Sequence, residues 1–393
     1  MTAAVQHVDD ESFGALMETV RRFVRETLMP LEQRVEEEDA VPQPVIDQMK
    51  TLGFFGLSID PEYGGAGLTA EQQARFQMVL STTSPAFRYV YSSNLGIGSR
   101  GIALDGTPEQ KQRYLPRLAT GELVGCFALT EPGAGSDAGG ITTRAVREGD
   151  DYIINGTKRY ITNANRADVF TVMARTDSSS AGAAGVSAFL VERGTAGLSI
   201  GKPEKKMGHR GSVVADVLFD SVRVPARNLL GLREGQGFRT AMRTLDHGRV
   251  NIAAMAVGMA ERLLQEALQY AAGRRQFGRP IIDFQLIQAM LADSEVDIQA
   301  ARAMTLEAAR RLDATGSAIK EAAGAKYFSS EMLCRVADRT VQIFGGAGYL
   351  ADYPVERMYR DARLLRIYEG TSQIMQLVIA RQLGREHGIA VAH

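Results

Sequence analysis

Hydrophobic periodicity changes twice along the chain and divides it into a helical, a strand-rich and a second helical third. Phe13, Leu16, Met17, Val20, Phe23, Val24, Thr27 and Leu28 recur at helical spacing up to about residue 38, with Pro30 expected to kink or break the run. The acidic residues 36–39 read as a solvated helix end. Residues 45–52 predict a short helix closed by Gly53, and helical patterns continue over 69–80 and 85–104. Thr107 followed by Pro108 predicts a capped helix start. After Gly121 the segments 151–162, 169–174, 187–191 and 213–222 are short, rich in β-branched and aromatic residues, and separated by Gly, Asp and Ser turns. A mobile turn is expected at 178–182. From Phe238 the helical period returns and persists to Gly384. One apolar face carries Ala253, Ala256, Val257, Ala260, Leu263, Leu264, Ala267 and Leu268, and another runs over 286–309.

Helices, then strands, then helices argue against a doubly wound α/β fold and for an α+β chain. At 393 residues it is long enough for two or three domains, here 1–122, 123–236 and 237–393. A net charge of -1 exerts no general pull on nucleic acid or an anionic membrane. Cys126 and Cys334 lie far apart, which argues against a disulfide framework and a zinc site; no metal is expected. The first ten residues have neither a basic start nor an apolar run, and no window reaches membrane-span length, so a reduced, cytoplasmic setting is expected.

In Tyr368-Glu369-Gly370 a single carboxylate stands between an aromatic ring and a glycine. The ring disfavours the charged carboxylate and the glycine lets a ligand approach, a setting suited to a general base. A helix-to-helix connection, with Gly370 as one cap and Thr371 or Ser372 starting the next helix, fits the same residues. Gly133-Ala134-Gly135-Ser136-Asp137-Ala138 matches G-x-G-x-x-A, but Gly139, Gly140 and the strand-like 141–146 follow where that dinucleotide motif needs a helix. It reads instead as a tight loop that brings backbone amides and hydroxyls to a ligand.

Residues 342–361, the run Tyr368-Glu369-Gly370-Thr371-Ser372-Gln373, and Leu129-Thr130-Glu131-Pro132-Gly133-Ala134-Gly135-Ser136-Asp137 together resemble the acyl-CoA dehydrogenase family. Their order is that of the family, and the resemblance covers nearly the whole chain. It implies an N-terminal α-helical domain, a middle β-barrel or sandwich domain and a C-terminal four-helix bundle. It also implies FAD and the α,β-desaturation of an acyl-CoA thioester. Glu369 would remove the α-proton while the β-hydrogen leaves as hydride to flavin N5, with electrons passing on to an electron-transfer flavoprotein. The enolate would be stabilised by the Glu369 backbone N–H and a flavin ribitol hydroxyl.

The same resemblance assigns Phe127, Leu129, Thr130, Gly135, Ser136, Tyr160, Ile161, Thr162, Thr371 and Gln373 to the flavin; many members carry Trp where Tyr160 stands. Arg274, Gln276, Phe277, Phe284, Gln285, Gln342, Ile343, Gly345 and Gly346 would reach the FAD of a neighbouring subunit, implying a homotetramer or at least a dimer. Ser136, Asp246, Arg249, Gly370 and Arg381 would face the substrate. A minority of members place the catalytic carboxylate where this chain has Gly248, which leaves Glu369 as the base. Taken by itself, Asp246 with Arg249 could be a surface ion pair of about 0.5 kcal/mol or less.

Arg88 and Ser92 fall where glutaryl-CoA dehydrogenases carry an Arg and a Ser facing the distal carboxylate, although Ser81 stands where those enzymes have an acid. The favoured reading of Arg88 is an arginine snorkelling from an amphipathic helix. The alternatives are a glutaryl-CoA dehydrogenase-like decarboxylating or desulfinating enzyme, an oxygen-using oxidase, and a non-catalytic acyl-CoA or FAD-binding scaffold.

Overall fold

A computed structural model describes residues 8–180 and 182–391. Ala181, within the turn expected at 178–182, lies outside the described residues, as do residues 1–7 of the N-terminal stretch. Its neighbour Asp177 accepts hydrogen bonds from the Ser179 amide and from the Ser179 and Ser180 hydroxyls.

The N-terminal helices are α1 (Asp10–Phe23), α2 (Glu32–Glu38), α3 (Gln43–Thr51), α4 (Ala70–Leu80), α5 (Pro85–Leu95), α6 (Arg100–Asp105) and α7 (Pro108–Thr120). Between α1 and α2 the backbone widens to a π-turn at Val24–Leu28 and tightens to a 3₁₀ turn at Met29–Leu31. Pro30 lacks an N–H and cannot continue the α ladder there. Thr69 and Thr107 both form full capping boxes, with Gln72 and Gln110 as reciprocal partners. Phe23, Phe54, Phe76 and Tyr91 pack edge to face in the core of this domain.

Two expectations are corrected here. The helix over 85–104 is broken after Leu95, where Gly96 leaves helical geometry at φ -131° and ψ -103°, and the chain then runs Gly98 against Gly125; a Cβ on Gly98 would come within 2.6 Å of that backbone. The acidic run 36–39 is not merely solvated: Glu36 pairs with Arg360 at 2.8 Å and Asp39 accepts from the Gly211 amide.

Strands β1 (Gly125–Ala128), β2 (Arg144–Glu148), β3 (Asp151–Thr162), β4 (Val169–Arg175), β5 (Val186–Glu192), β6 (Leu198–Ile200) and β7 (Val214–Pro225) form one seven-stranded sheet ordered β1-β4-β2-β3-β7-β6, with β5 on the other edge of β4. The long β3–β7 pair slips register between Lys158 and Ile161, and Tyr160 takes a left-handed φ of 59° at that bulge. The irregularity turns Tyr160 outward, 61 % exposed, while Ile161 packs into the sheet's core.

The C-terminal helices are α8 (Gly237–Gly273), α9 (Gln285–Thr315), α10 (Ile319–Phe344), α11 (Pro354–Ala362) and α12 (Ser372–Glu386), with the short hairpin β8 (Arg275–Gln276) and β9 (Arg279–Pro280) between α8 and α9. Residues 252–260 of α8 are buried on every side, and their small side chains allow close packing. A Cβ on Gly258 would lie 2.1 Å from the Met78 carbonyl oxygen, so only glycine lets α8 approach α4 this closely. Among the described residues no helix is long and apolar enough to cross a membrane.

Candidate active site

Glu369 lies in the turn between the 3₁₀ segment Arg363–Arg366 and α12. It adopts φ 52° and Gly370 follows at φ 93°. Left-handed backbone at a non-glycine residue costs about 1–2 kcal/mol and persists where the surroundings impose it. Thr371 then caps α12 by accepting from the Ile374 amide, so the capping role read from the sequence coexists with an exceptional conformation at Glu369. Oε2 of Glu369 is buried and has no hydrogen-bond partner. Burial raises the Glu369 pKa, while Arg88, Arg249 and Lys326 pull it down.

Helix α8 supplies one wall. A Cβ on Gly248 would lie 2.2 Å from Oε2 of Glu369, so these two positions share one volume. Flanking Gly248 on the same helix, Asp246 and Arg249 form a 2.7 Å ion pair that is buried, not on the surface. Arg88, on α5, also departs from expectation: it is only 7 % exposed, its Nε is buried without a partner, and its guanidinium lies 5.6 Å from the Tyr89 ring centroid. It does not snorkel to solvent: the Tyr89 ring lies beside its guanidinium, and Tyr368, Tyr89 and Tyr91 all act on its charge.

A polar chain behind Tyr368 joins all three domains. The Tyr368 and Tyr89 hydroxyls lie 3.4 Å apart, and Tyr89 Oη is 2.9 Å from His209 Nδ1. His209 Nε2 faces the Asp361 carbonyl at 2.8 Å, which makes Nε2 the protonated nitrogen and Nδ1 the acceptor from Tyr89. The His209 amide also donates to Asp361 Oδ1. Burial pushes His209 down to about 4 and Asp361 up to about 6. Neither His209 nor Asp361 was singled out from the sequence, where a lone His and an Asp inside an amphipathic helix carry no spacing signal.

The loop 129–137 is fastened from below. Glu131 accepts from the Thr142 amide and hydroxyl, the Thr143 amide and Lys158 Nζ, and Lys158 also donates to the Leu129 carbonyl. Burial alone would raise the Glu131 carboxyl, but Lys158 and these donors outweigh it and hold it at about 2. The Arg159 amide donates to the Thr130 carbonyl, binding the loop to β3. At the end of β3, Asn163 Nδ2 donates to the Tyr89 carbonyl and Ser93 Oγ, fixing the Tyr160–Thr162 segment to the helix that carries Arg88. Thr130, Thr162 and Phe127 are half-buried, Gly135 and Ser136 exposed, and Leu129 buried. Nothing stands within 4 Å of a Cβ built on Gly133 or Gly135.

Elsewhere on the molecule, a groove of about 1040 Å³ collects Arg274, Gln276, Phe277, Phe284, Gln285, Ile343, Gly345 and Gly346, together with Tyr270 and Arg279. Phe277 is 92 % exposed at its mouth. Arginine forks beside stacked aromatic rings and open glycine backbone suit a ligand that joins a planar ring to a pyrophosphate. Gln342 and Gln373 are exposed, Gln342 outside this groove; Arg381 is half-buried, with an unpartnered Nε.

Comparison with known proteins matches the chain along its length. The models for the acyl-CoA dehydrogenase N-terminal, middle and C-terminal domains match residues 10–122, 126–222 and 235–384. The caffeyl-CoA reductase-Etf complex subunit CarC of Acetobacterium woodii is 43% identical over 89% of this chain and 92% of its own. A short-chain specific acyl-CoA dehydrogenase of Clostridium acetobutylicum is 42% identical over 93% and 96%. The structure of butyryl-CoA dehydrogenase from Megasphaera elsdenii superposes with a TM-score of 0.92 at 37% identity, covering 96% of this chain and 99% of that one.

Proposed function

The chain belongs to the acyl-CoA dehydrogenase family, and from that premise we propose an FAD-dependent oxidoreductase acting on the CH–CH bond beside an acyl-CoA thioester, with Glu369 moving the α-proton. The observation that carries this reading is the buried, unpartnered Oε2 of Glu369, held in a left-handed turn against Gly248. A carboxylate raised by burial sits nearer to the operating pH, where a general base is most effective. Its free lone pairs are available to a C–H bond because no protein donor occupies them.

An α-proton beside a thioester is weakly acidic, so the developing enolate oxygen needs donors. Among the described residues the Glu369 backbone N–H has no acceptor, and it is the donor this chain offers there. Glu369 thus acts through both side chain and main chain. The fastened 129–137 loop and the outward Tyr160 and Thr162 fit one face of a flavin, and the Arg274 groove fits the pyrophosphate end of FAD bound to a second copy. FAD, when bound in this way, supplies the acceptor for the β-hydrogen and its electron pair. That sharing makes the working form at least a dimer, and a homotetramer by analogy with the family. An electron-transfer flavoprotein is the proposed redox partner, supported by the Etf complex to which the 43% identical relative belongs. That relative is a reductase by name, so the same proton and hydride sites serve either direction. Two free cysteines accord with a cytoplasmic setting.

Arg88 supports a second reading, an acyl chain ending in an acid group. A guanidinium buried with an unpartnered Nε is poised to accept a carboxylate from a ligand. Titrating the flavin anaerobically with straight-chain, branched and glutaryl-CoA tests both. Bleaching by a straight-chain acyl-CoA supports the first reading, and preferential bleaching by glutaryl-CoA supports the second. Glu369→Gln should keep its flavin and bind acyl-CoA without bleaching; brisk bleaching would remove Glu369 from the reaction.

A further inference from the structure

Two successive positive-φ residues make the Glu369–Gly370 turn a conformation that something outside it must hold. On the α10 side that group is Lys326. It is 0 % exposed, and its Nζ donates to the Gly370 carbonyl oxygen at 2.7 Å. Among the described residues no carboxylate forms an ion pair with it, although a buried ammonium without one is costly. Glu331, one turn further along α10, is already engaged by Arg366 at 2.8 Å and by the Ser372 hydroxyl at 2.6 Å. Glu369 is the carboxylate that acts most strongly on Lys326, with Glu331 adding a lesser attraction and Arg249 opposing both.

The other groups facing Glu369 are accounted for differently. Arg249 on α8 also pulls the Glu369 carboxylate down but is itself ion-paired to Asp246, and Tyr89 and Tyr368 are phenols whose burial keeps them protonated. Arg88 on α5 acts on the Glu369 carboxylate from the N-terminal helices. Lys326 alone combines a cation acting on the carboxylate with a hydrogen bond to the turn that carries it.

We propose that Lys326 is a positioning residue for the base: its ammonium pins the Gly370 carbonyl, holding Glu369 in its left-handed conformation and setting a cation against the turn that carries the carboxylate. The assignment rests on Glu369 being the base. It explains why a lysine is retained in the interior of a helix whose neighbouring buried positions include Ala322, Ala323, Ala325, Ser329 and Ser330.

Three variants separate the two actions. Lys326→Gln keeps a donor for Gly370 and removes the charge, Lys326→Met removes both, and Lys326→Arg keeps the charge. With the flavin-loaded enzyme and butyryl-CoA as probe, the acid limb of kcat/KM should move up by roughly one pH unit in Lys326→Gln and Lys326→Met. It should stay in place in Lys326→Arg. Lys326→Met should in addition lose about tenfold or more in limiting kcat and show faster amide exchange over 367–372, whereas Lys326→Gln should not. An unmoved limb in Lys326→Gln, or a limb in Lys326→Arg displaced as far as in Lys326→Gln, overturns the electrostatic role. Unchanged exchange in Lys326→Met overturns the anchoring role. Persistent turnover in Glu369→Gln would remove the base assignment itself, whereas an unmoved Lys326→Gln limb beside an inactive Glu369→Gln would remove only the role of Lys326.

Discussion

Gly248 and Glu369 compete for one space: the Cβ that any other residue would place at 248 falls 2.2 Å from the Glu369 carboxylate oxygen. The absence of a side chain on α8 is therefore a condition for a carboxylate arriving from the turn before α12. Gly248→Ala should cut kcat/KM by about 10²-fold through displacement of the carboxylate, with flavin retained. In a Glu369→Gly background the same change should cost no further thermal stability, measured as the Tm of the double variant against the single one.

Arg88 acts on the same carboxylate through its charge. Arg88→Gln should move the acid limb of kcat/KM upward, because losing a cation lets Glu369 hold its proton to higher pH. If an acidic acyl chain is the substrate, the variant should also lose turnover of glutaryl-CoA by about 10-fold or more relative to butyryl-CoA, since a charged hydrogen bond worth about 1.5–3 kcal/mol is gone. Equal losses on both substrates would leave Arg88 acting on Glu369 alone.

His209 and Asp361 titrate with opposite consequences for stability. His209 is depressed to about 4, so its contribution is present above its unfolded value and lost as pH falls through 4. Asp361 is raised to about 6, so its contribution is present below its unfolded value and lost as pH rises through 6. In the native protein the two slopes oppose one another between about pH 4 and 6 and flatten the profile. Asp361→Asn should expose the His209 slope: its Tm should fall more steeply than that of the native protein as pH drops from 6.5 to 4.

Glu131→Gln should destabilise the middle domain by about 3–5 kcal/mol, because Lys158 would remain buried without its counter-charge. The native carboxylate, held at about 2, contributes stability above its unfolded pKa that is lost as pH falls through 2. Urea titration at pH 7 measures the difference directly. Weakened flavin retention should accompany it, since the Leu129–Asp137 loop loses its anchor.

The fold was legible where structure is local. Thr107-Pro108 announced a helix start, Pro30 a break, and the switch to strand-rich segments the middle sheet. Glu369 could be singled out through the family resemblance of residues 368–373 and 129–137, since its three-residue setting fits a helix connection equally well. Lys326, His209 and Arg88 are different, since each acquires meaning from a partner far along the chain: Lys326 from Gly370, His209 from Tyr89 and Asp361. Helical periodicity records only that a side chain faces inward. It does not record that an arginine expected at the surface would be buried beside the Tyr89 ring with its Nε unpartnered.

The Tyr368–Tyr89–His209–Asp361 chain also bears on the order in which the protein matures. Its members come from α5, the segment before β7, α11 and the turn after it, so no contiguous stretch of the nascent chain contains it. While residues 354–391 are missing, Tyr89 and His209 lack Asp361 and Tyr368. The same stretch brings Val355, Met358, Ala362 and Leu365 into the core shared by α8 and α10, so a chain ending before residue 354 should lose part of that core together with the polar chain and the turn that carries Glu369.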